Sequence, residues 1–254
     1  MTAVFVTGTG LWAPGFRDAA GWARGTPDPA VTTPPAELVP AALRRRASAL
    51  SRMVAEAALA AAVEGGADLA RVSMVLGSAF GEIVAAVEMI GSFRTGEGMP
   101  SPTRFHNSVH NAPVAYASMA TGNQGLATAV AAGDETAGMA LQEAIGVLAE
   151  RGGEVLLVLA DEAVPAPLHA RRPYAPGAVA VVLSGVGSPR ARARLGVPRR
   201  GTAPALPMPP GFASHPCAGA FALVAAVASS RSGPVLLGSG EDGWIVDVEP
   251  VSVA

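Results

Sequence analysis

Hydrophobic positions along the chain follow two periods that alternate through its first 185 residues or so. Short valine-, leucine- and alanine-rich runs at Ala3 to Thr7, Val72 to Leu76, Glu154 to Leu159 and Ala178 to Leu183 read as buried strands. Longer alanine-rich stretches, led by Ala41 to Gly65, read as helices. This alternation predicts an α/β fold with helices covering a sheet. Thr26 to Pro40 is predicted as a loop, since its prolines block helix continuation and restrict the residues before them. Arginine, proline and glycine cluster without apolar periodicity from Ser188 to Gly211, which predicts a linker. Beyond it, Ala218 to Ala228 is expected as a helix. Gly243 to Val251 sets Trp244, Val246 and Val248 against Asp247 and Glu249, as an edge or half-buried strand does. The expected organisation is a main domain over 1–187, a linker over 188–211 and a short C-terminal segment over 212–254, with no internal repeat.

Composition narrows the function classes. A chain of 254 residues can bury roughly 70 to 75 per cent of its unfolded surface, and half of its residues are apolar. Net charge is −2 with only 15% charged residues, so no basic field is present for nucleic acid or anionic lipid. The single Cys217 excludes an intrachain disulfide and suits a reducing cytoplasm. The apolar run from Pro216 to Ala228 is too short to span a bilayer, and no secretory leader is readable. All 18 basic residues are arginine.

Few side chains offer chemistry. His106 and His110 lie four apart, a spacing that on a helix puts both rings on one face and begins some zinc sites. The metalloprotease glutamate and a third ligand at a telling distance are both missing, so no metal is expected. Asn107 and Asn111 share the spacing and suggest a polar helical face, used either across a subunit interface or for ordinary capping and packing. Asp134 and Glu135 are expected near the start of a helix, where its dipole favours acids. Arg44, Arg45 and Arg46 read as a solvated face. Gly77-Ser78-Ala79-Phe80-Gly81 has its serine one place early for a hydrolase elbow. Gly8-Thr9-Gly10 lacks the third glycine of a dinucleotide fingerprint. Neither turn supports a functional claim.

Phe105 to Gly122 (FHNSVHNAPVAYASMATG) followed by Ala127 to Gly138 (ATAVAAGDETAG) resembles the active-site region of the ketoacyl synthases without its nucleophile. Ala129-Val130-Ala131-Ala132-Gly133 is similar to the family's Ala-Cys-x-x-Gly, with Val130 where the cysteine stands. The opening AVFVTGTGLWAPG, the turn in VSMVLGSAFGE (Val72 to Glu82), and the runs EVLLVLADEA and GAVAVVLSG resemble further family landmarks in the right order over roughly residues 1 to 190. The chain resembles the short chain-length factors of aryl polyene and related fatty-acid-like pathways. The resemblance implies a thiolase-like α/β fold, the ketoacyl synthase N-terminal half, with a truncated C-terminal segment. Ser214 to Ala220 is similar to the family's histidine turn, making His215 a candidate remnant, and Gly238-Ser239-Gly240 is similar to its final glycine loop.

The resemblance also implies a role. An isopropyl side chain has no lone pair to attack a thioester, and the lysine that working synthases use is missing. The expected function is therefore a non-catalytic subunit that pairs with an active ketosynthase, shapes its acyl tunnel and meets acyl carrier protein through the complex, with no cofactor. Phe105, His106, Asn107, His110, Asn111, Tyr116, Asp134 and Glu135 are the implied partner-interface candidates, and a homodimer is an option for the isolated chain. Two alternatives stay open. One is a decarboxylase or other thioester-acting enzyme without the cysteine, drawing on His110 and His215. The other is a self-associating structural protein. A truncated second half also predicts exposed apolar surface that a partner would cover.

Overall fold

Side chains on successive strand residues point to opposite faces of a sheet, and here both faces are apolar, so both must be covered. The computed structural model describes residues 3–95, 101–166, 168, 172–238 and 242–251. In chain order the elements are β1 (Val4–Trp12), α1 (Ala19–Arg24), α2 (Ala41–Arg44), α3 (Ala49–Gly65), β2 (Ser73–Gly77), α4 (Ile83–Thr95), α5 (Pro102–Asn107), α6 (Ala112–Thr121), β3 (Ala127–Val130), α7 (Thr136–Arg151), β4 (Glu154–Asp161), β5 (Gly177–Ser184), β6 (Ala193–Leu195), β7 (Arg199–Thr202), α8 (Ala218–Ala228), β8 (Gly233–Leu236) and β9 (Asp242–Pro250). The strands form one nine-stranded sheet in the order β3-β2-β4-β5-β1-β6-β9-β7, with β8 also paired to β9. β2 runs parallel to β3 and β4, and the other pairings are antiparallel.

The two-residue period sorts the core. Val155, Leu157 and Leu159 of β4, with Val179, Val181 and Leu183 of β5, join the cluster that includes α7 and α8. Their alternates Leu156, Val158, Ala160, Ala178, Ala180 and Val182 join the cluster that includes α3 and α6. The result is a sheet between two helical layers. Helix α3 lies unusually close to β1, because a Cβ on Gly8 or Gly10 would stand 2.2 Å from the Ala61 carbonyl oxygen or 1.9 Å from that of Ala57. These two glycines therefore belong to a continuing strand. The expected turn after Thr7 does not form; β1 instead carries a register shift between Val6 and Gly8 and runs on to Trp12.

Two further expectations are revised. The helix predicted over Ala41 to Gly65 is two helices, and Ser48 caps the second by accepting the Ser51 N–H at 2.9 Å. The segment 188–211 is not a free linker. It supplies β6, which pairs with β1 and β9, and β7, which pairs with β9. Its arginines tie it down further: Arg190 donates to the Gly65 carbonyl at 3.1 Å at the C-terminal end of α3, and Arg192 pairs with Glu64. Arg199 and Arg200 are exposed on β7, so the apolar alternation that betrays a strand is missing there. Residues of 212–254 share the main core, since Phe221, Leu223 and Val246 sit in the same cluster as β4 and β5.

The glycine contacts make a paired prediction. Gly10→Ala should cost about 1 to 3 kcal/mol of unfolding free energy, the usual range for overpacking a tight contact. Gly146→Ala, in the exposed middle of α7 with open space around its Cβ, should raise stability by about 0.5 to 1 kcal/mol. Urea denaturation midpoints of the two variants check both signs.

Candidate functional site

Val130 ends β3 and is half-buried against the larger core cluster. The chain then turns through Ala131 and Ala132 into a 3-10 turn, Gly133–Glu135, before α7 begins at Thr136. The buried Thr136 hydroxyl organises this corner by accepting from Ala132 N at 3.0 Å and donating to Gly133 O at 2.7 Å. Asp134 and Glu135 thus precede the helix expected to carry them. Asp134 is exposed. Glu135 is held by both guanidinium nitrogens of Arg200, at 2.5 and 2.7 Å, and that pairing lowers its pKa. The same guanidinium lies 4.5 Å above the Trp244 ring. Trp244 in turn packs so tightly on α7 that a Cβ at Gly138 would come within 2.5 Å of it. The corner at Val130 is therefore overlaid by residues of β7 and β9, and its side chain provides no nucleophile.

A dense polar cluster sits at the C-terminal end of β4. Asp161 is fully buried, and it accepts from Ser78 Oγ at 2.8 Å, Ala79 N at 3.0 Å, Phe80 N at 2.9 Å and Cys217 Sγ at 3.5 Å. Burial raises its pKa against the pull of those donors. The glycine-serine turn that carried no functional signal in the sequence is the cradle of this carboxylate. His215 is also fully buried, between Tyr174, Phe212 and Phe221. Its Nδ1 accepts from Cys217 N at 3.0 Å, while Nε2 lies toward the Asp161 main chain outside hydrogen-bond geometry. Desolvation drives its pKa down to about 3 and pushes the Cys217 thiol well up. Neither the imidazole nor the thiol has solvent access.

Beside this cluster lies a cleft of about 260 Å3, lined among others by Ser48, Glu82, Glu88, Arg104, Asn107 and Glu162. Glu82 and Glu162 are only 2% and 5% exposed. Glu82 Oε1 accepts from the hydroxyls of Ser48 (2.6 Å) and Ser51 (2.9 Å), and Glu162 Oε1 accepts from Val84 N at 3.0 Å. Burial raises both pKa values, and for Glu162 burial with the nearby Glu82, Asp161 and Glu88 charges brings it to about 7. Sequence inspection missed this group. The available signal was an acidic pair, Asp161-Glu162, at the end of an apolar strand, and a glutamate closing the Gly77 to Gly81 turn.

The remaining sequence candidates scatter. His106 and His110 do not share a helical face, because α5 ends at Asn107 and α6 starts at Ala112. Phe105 and His106 are exposed. Asn107 spends its side chain inside the chain, donating to Arg46 O at 2.6 Å and accepting from Tyr116 Oη at 2.9 Å. Tyr116 is buried, so it is no surface contact. His110 Nε2 donates to Ser78 O at 2.8 Å and braces the Asp161 cradle. Asn111 is exposed and caps α6 without a side-chain hydrogen bond. Ser239 and Gly240 of the expected glycine loop lie outside the described residues. Among the described residues no three His, Cys, Asp or Glu side chains group as metal ligands, and no helix is long and apolar enough to cross a membrane.

Comparison with known proteins agrees with this architecture. The family described as beta-ketoacyl synthase, N-terminal domain, matches residues 19–244. No curated protein sequence matches the chain. Among solved structures, the chain is similar to one in the complex of the ketosynthase ApeO with its chain length factor ApeC from Xenorhabdus doucetiae. The TM-score is 0.76 at 18% identity, over 97% of this chain and 100% of that one. The ishigamide ketosynthase/chain length factor gives 0.72 at 12% identity over 98% and 100%. A type II polyketide synthase complex of AntDE with the acyl-carrier protein AntF gives 0.74 at 13% over 98% and 99%. At these identities the likeness is one of fold, and that fold is the thiolase-like one.

The Glu162 environment predicts a pH dependence. A carboxyl held at about 7 in the folded protein against an ordinary 4.5 binds its proton more tightly when folded. The associated stability is fully present below about pH 4.5 and is lost as pH rises through 7. The loss is at most about 3.5 kcal/mol, at about 1.4 kcal/mol per pH unit. Glu162→Gln keeps the acceptor for Val84 N, and should flatten the fall in unfolding free energy between pH 5 and pH 8, read by chemical denaturation at each pH.

Proposed function

The chain belongs to the beta-ketoacyl synthase family, and from that premise we propose that it is a non-catalytic subunit of the chain-length-factor kind, pairing with an active ketosynthase. The observation that carries this is unburied association surface: an open sheet edge, and helices whose apolar side chains are left exposed. Among the described residues β3 pairs only with β2, leaving one side free. An edge of free N–H and C=O groups is a template for another strand. On the helical side, Phe80 before α4, Ile90 and Phe93 on α4, Phe105 on α5 and Met119 on α6 are all between 46% and 61% exposed. Helix α4 buries only Ser92 among its side chains, despite its apolar composition. Such a surface suits burial against a partner.

Val130 at the nucleophile-equivalent position, the absence of lysine and the burial of His215 and Cys217 support a role without covalent chemistry. The subunit would act by shape. Bulky side chains at the pairing surface would close the far end of the partner's acyl tunnel, and the growing chain would stop where the tunnel does. Acyl carrier protein would deliver to the partner, and the similar structures described as ketosynthase/chain length factor complexes support that assembly. The product and its pathway, aryl polyene or another fatty-acid-like chain, follow from the partner.

Affinity capture of the tagged chain from its native cells should recover a ketosynthase at one-to-one stoichiometry, sized by light scattering. A stable, well-behaved monomer with no affinity for any synthase refutes the reading. Phe105→Glu, on a side chain 61% exposed, should leave folding intact and weaken pairing at least tenfold, or about 1.4 kcal/mol.

A further inference from the structure

We propose that the cleft between the start of α3, the turn into α4 and α5 is a recess for a guanidinium group, supplied by an arginine of the paired subunit and received by Glu82. The proposal rests on the pairing reading above. Glu82 lines the cleft at 2% exposure, and while its Oε1 is satisfied by two serine hydroxyls, its buried Oε2 has no hydrogen-bond partner. A buried carboxylate oxygen without a donor is costly, and the residue that carries it borders an open cleft. Glu162 and Glu88 share the lining, against one cationic side chain, Arg104. Three acidic side chains against one guanidinium make the lining acidic and able to take up a further cation.

The shape and setting select the occupant. Two buried carboxylates are too few for a metal site, and no three-ligand group exists among the described residues. A volume of about 260 Å3 admits a guanidinium with its methylene stem. Arginine suits the place better than lysine, because its planar fork bridges two acceptors and it is the more weakly hydrated cation. The apolar side chains Ile90 and Phe93 rise from α4, which also lines the recess, and Phe105 follows Arg104 on α5. A partner that covers these apolar side chains brings its own side chains over the opening and excludes water from the pair.

The proposal predicts coupled proton release. In the free chain Glu82 and Glu162 are held toward the protonated form by burial, and Glu162 also by the charges of Glu82, Asp161 and Glu88, with Arg104 as the cationic side chain in the lining. A bound guanidinium favours the ionised carboxylates, so binding near pH 7 expels protons to the buffer.

The test is calorimetric titration of the isolated chain with ethylguanidinium, at constant ionic strength and in two buffers of different ionisation enthalpy. Saturable binding with proton release is expected for the native chain, and both should disappear in Glu82→Gln, which keeps an acceptor for Ser48 and Ser51. No saturable binding, or equal binding by the variant, overturns the proposal. In a second arm the captured synthase is titrated with native and Glu82→Gln chains. At least tenfold weaker pairing of the variant is expected, and equal pairing overturns the partner as source while leaving the pairing reading intact. Ethylguanidinium binding by a chain that pairs with no synthase supports the recess and overturns the pairing reading.

Discussion

Asp161 is the constraint on which the arrangement turns. It ends a central strand and takes donors from Ser78, Ala79 and Phe80 in the turn after β2, and from Cys217 at the head of α8. One buried carboxylate therefore joins the parallel part of the sheet to the C-terminal segment. Removing any partner would leave the others facing an under-satisfied buried acid, which is far more costly than the net value of each bond. His110 adds a brace through Ser78 O, so the region after α5 is tied to the same point.

From that anchor the polar groups divide into those that are consumed and those that are left over. Thr136, Glu135, Arg200 and Trp244 close the corner at Val130 from within the chain. His215 and Cys217 are sealed among aromatic rings and the Asp161 carboxylate. Most of these groups find their partners within the chain, while His215 Nε2 and Trp244 Nε1 stay buried without one. Glu82, the open side of β3 and the aromatic residues of α4 and α5 are the ones left over. An open strand edge and exposed apolar side chains on α4 and α5 are physically suited to association.

The C-terminal segment shows how a shortened chain keeps its core. Phe212 meets Trp22 edge-on and Phe221 meets it at a tilt, with ring centroids 4.7 and 5.0 Å away, and α8 lies so close to the end of β8 that a Cβ on Gly219 would meet the Leu237 Cα at 2.2 Å. The arginine-rich segment before it joins the same structure through polar contacts. Arg190 and Arg192 fasten it to the end of α3, and Arg199 pairs with Asp247 across β7 and β9. Ion pairs so exposed contribute little each; backbone pairing with β9 does the holding.

The sequence by itself determined the elements whose burial is written in a period. The four apolar runs became β1, β2, β4 and β5, Ala218 to Ala228 became α8, and the alternation after Gly243 became β9. The family was legible for the same reason, since small residues are obligatory where helix and strand backbones nearly touch. What only the tertiary structure decided were features made by long-range contact. Strands β6 and β7 depend on pairing with β9 rather than on apolar alternation, and Gly8 and Gly10 stay in a strand because α3 presses on them. The meeting of Glu82, Asp161 and Glu162 joins positions about 80 apart in the chain, as the 83-residue span from Ser78 to Asp161 illustrates. No local spacing encodes such a meeting, because the sheet brings β2 and β4 side by side only once the whole core has formed.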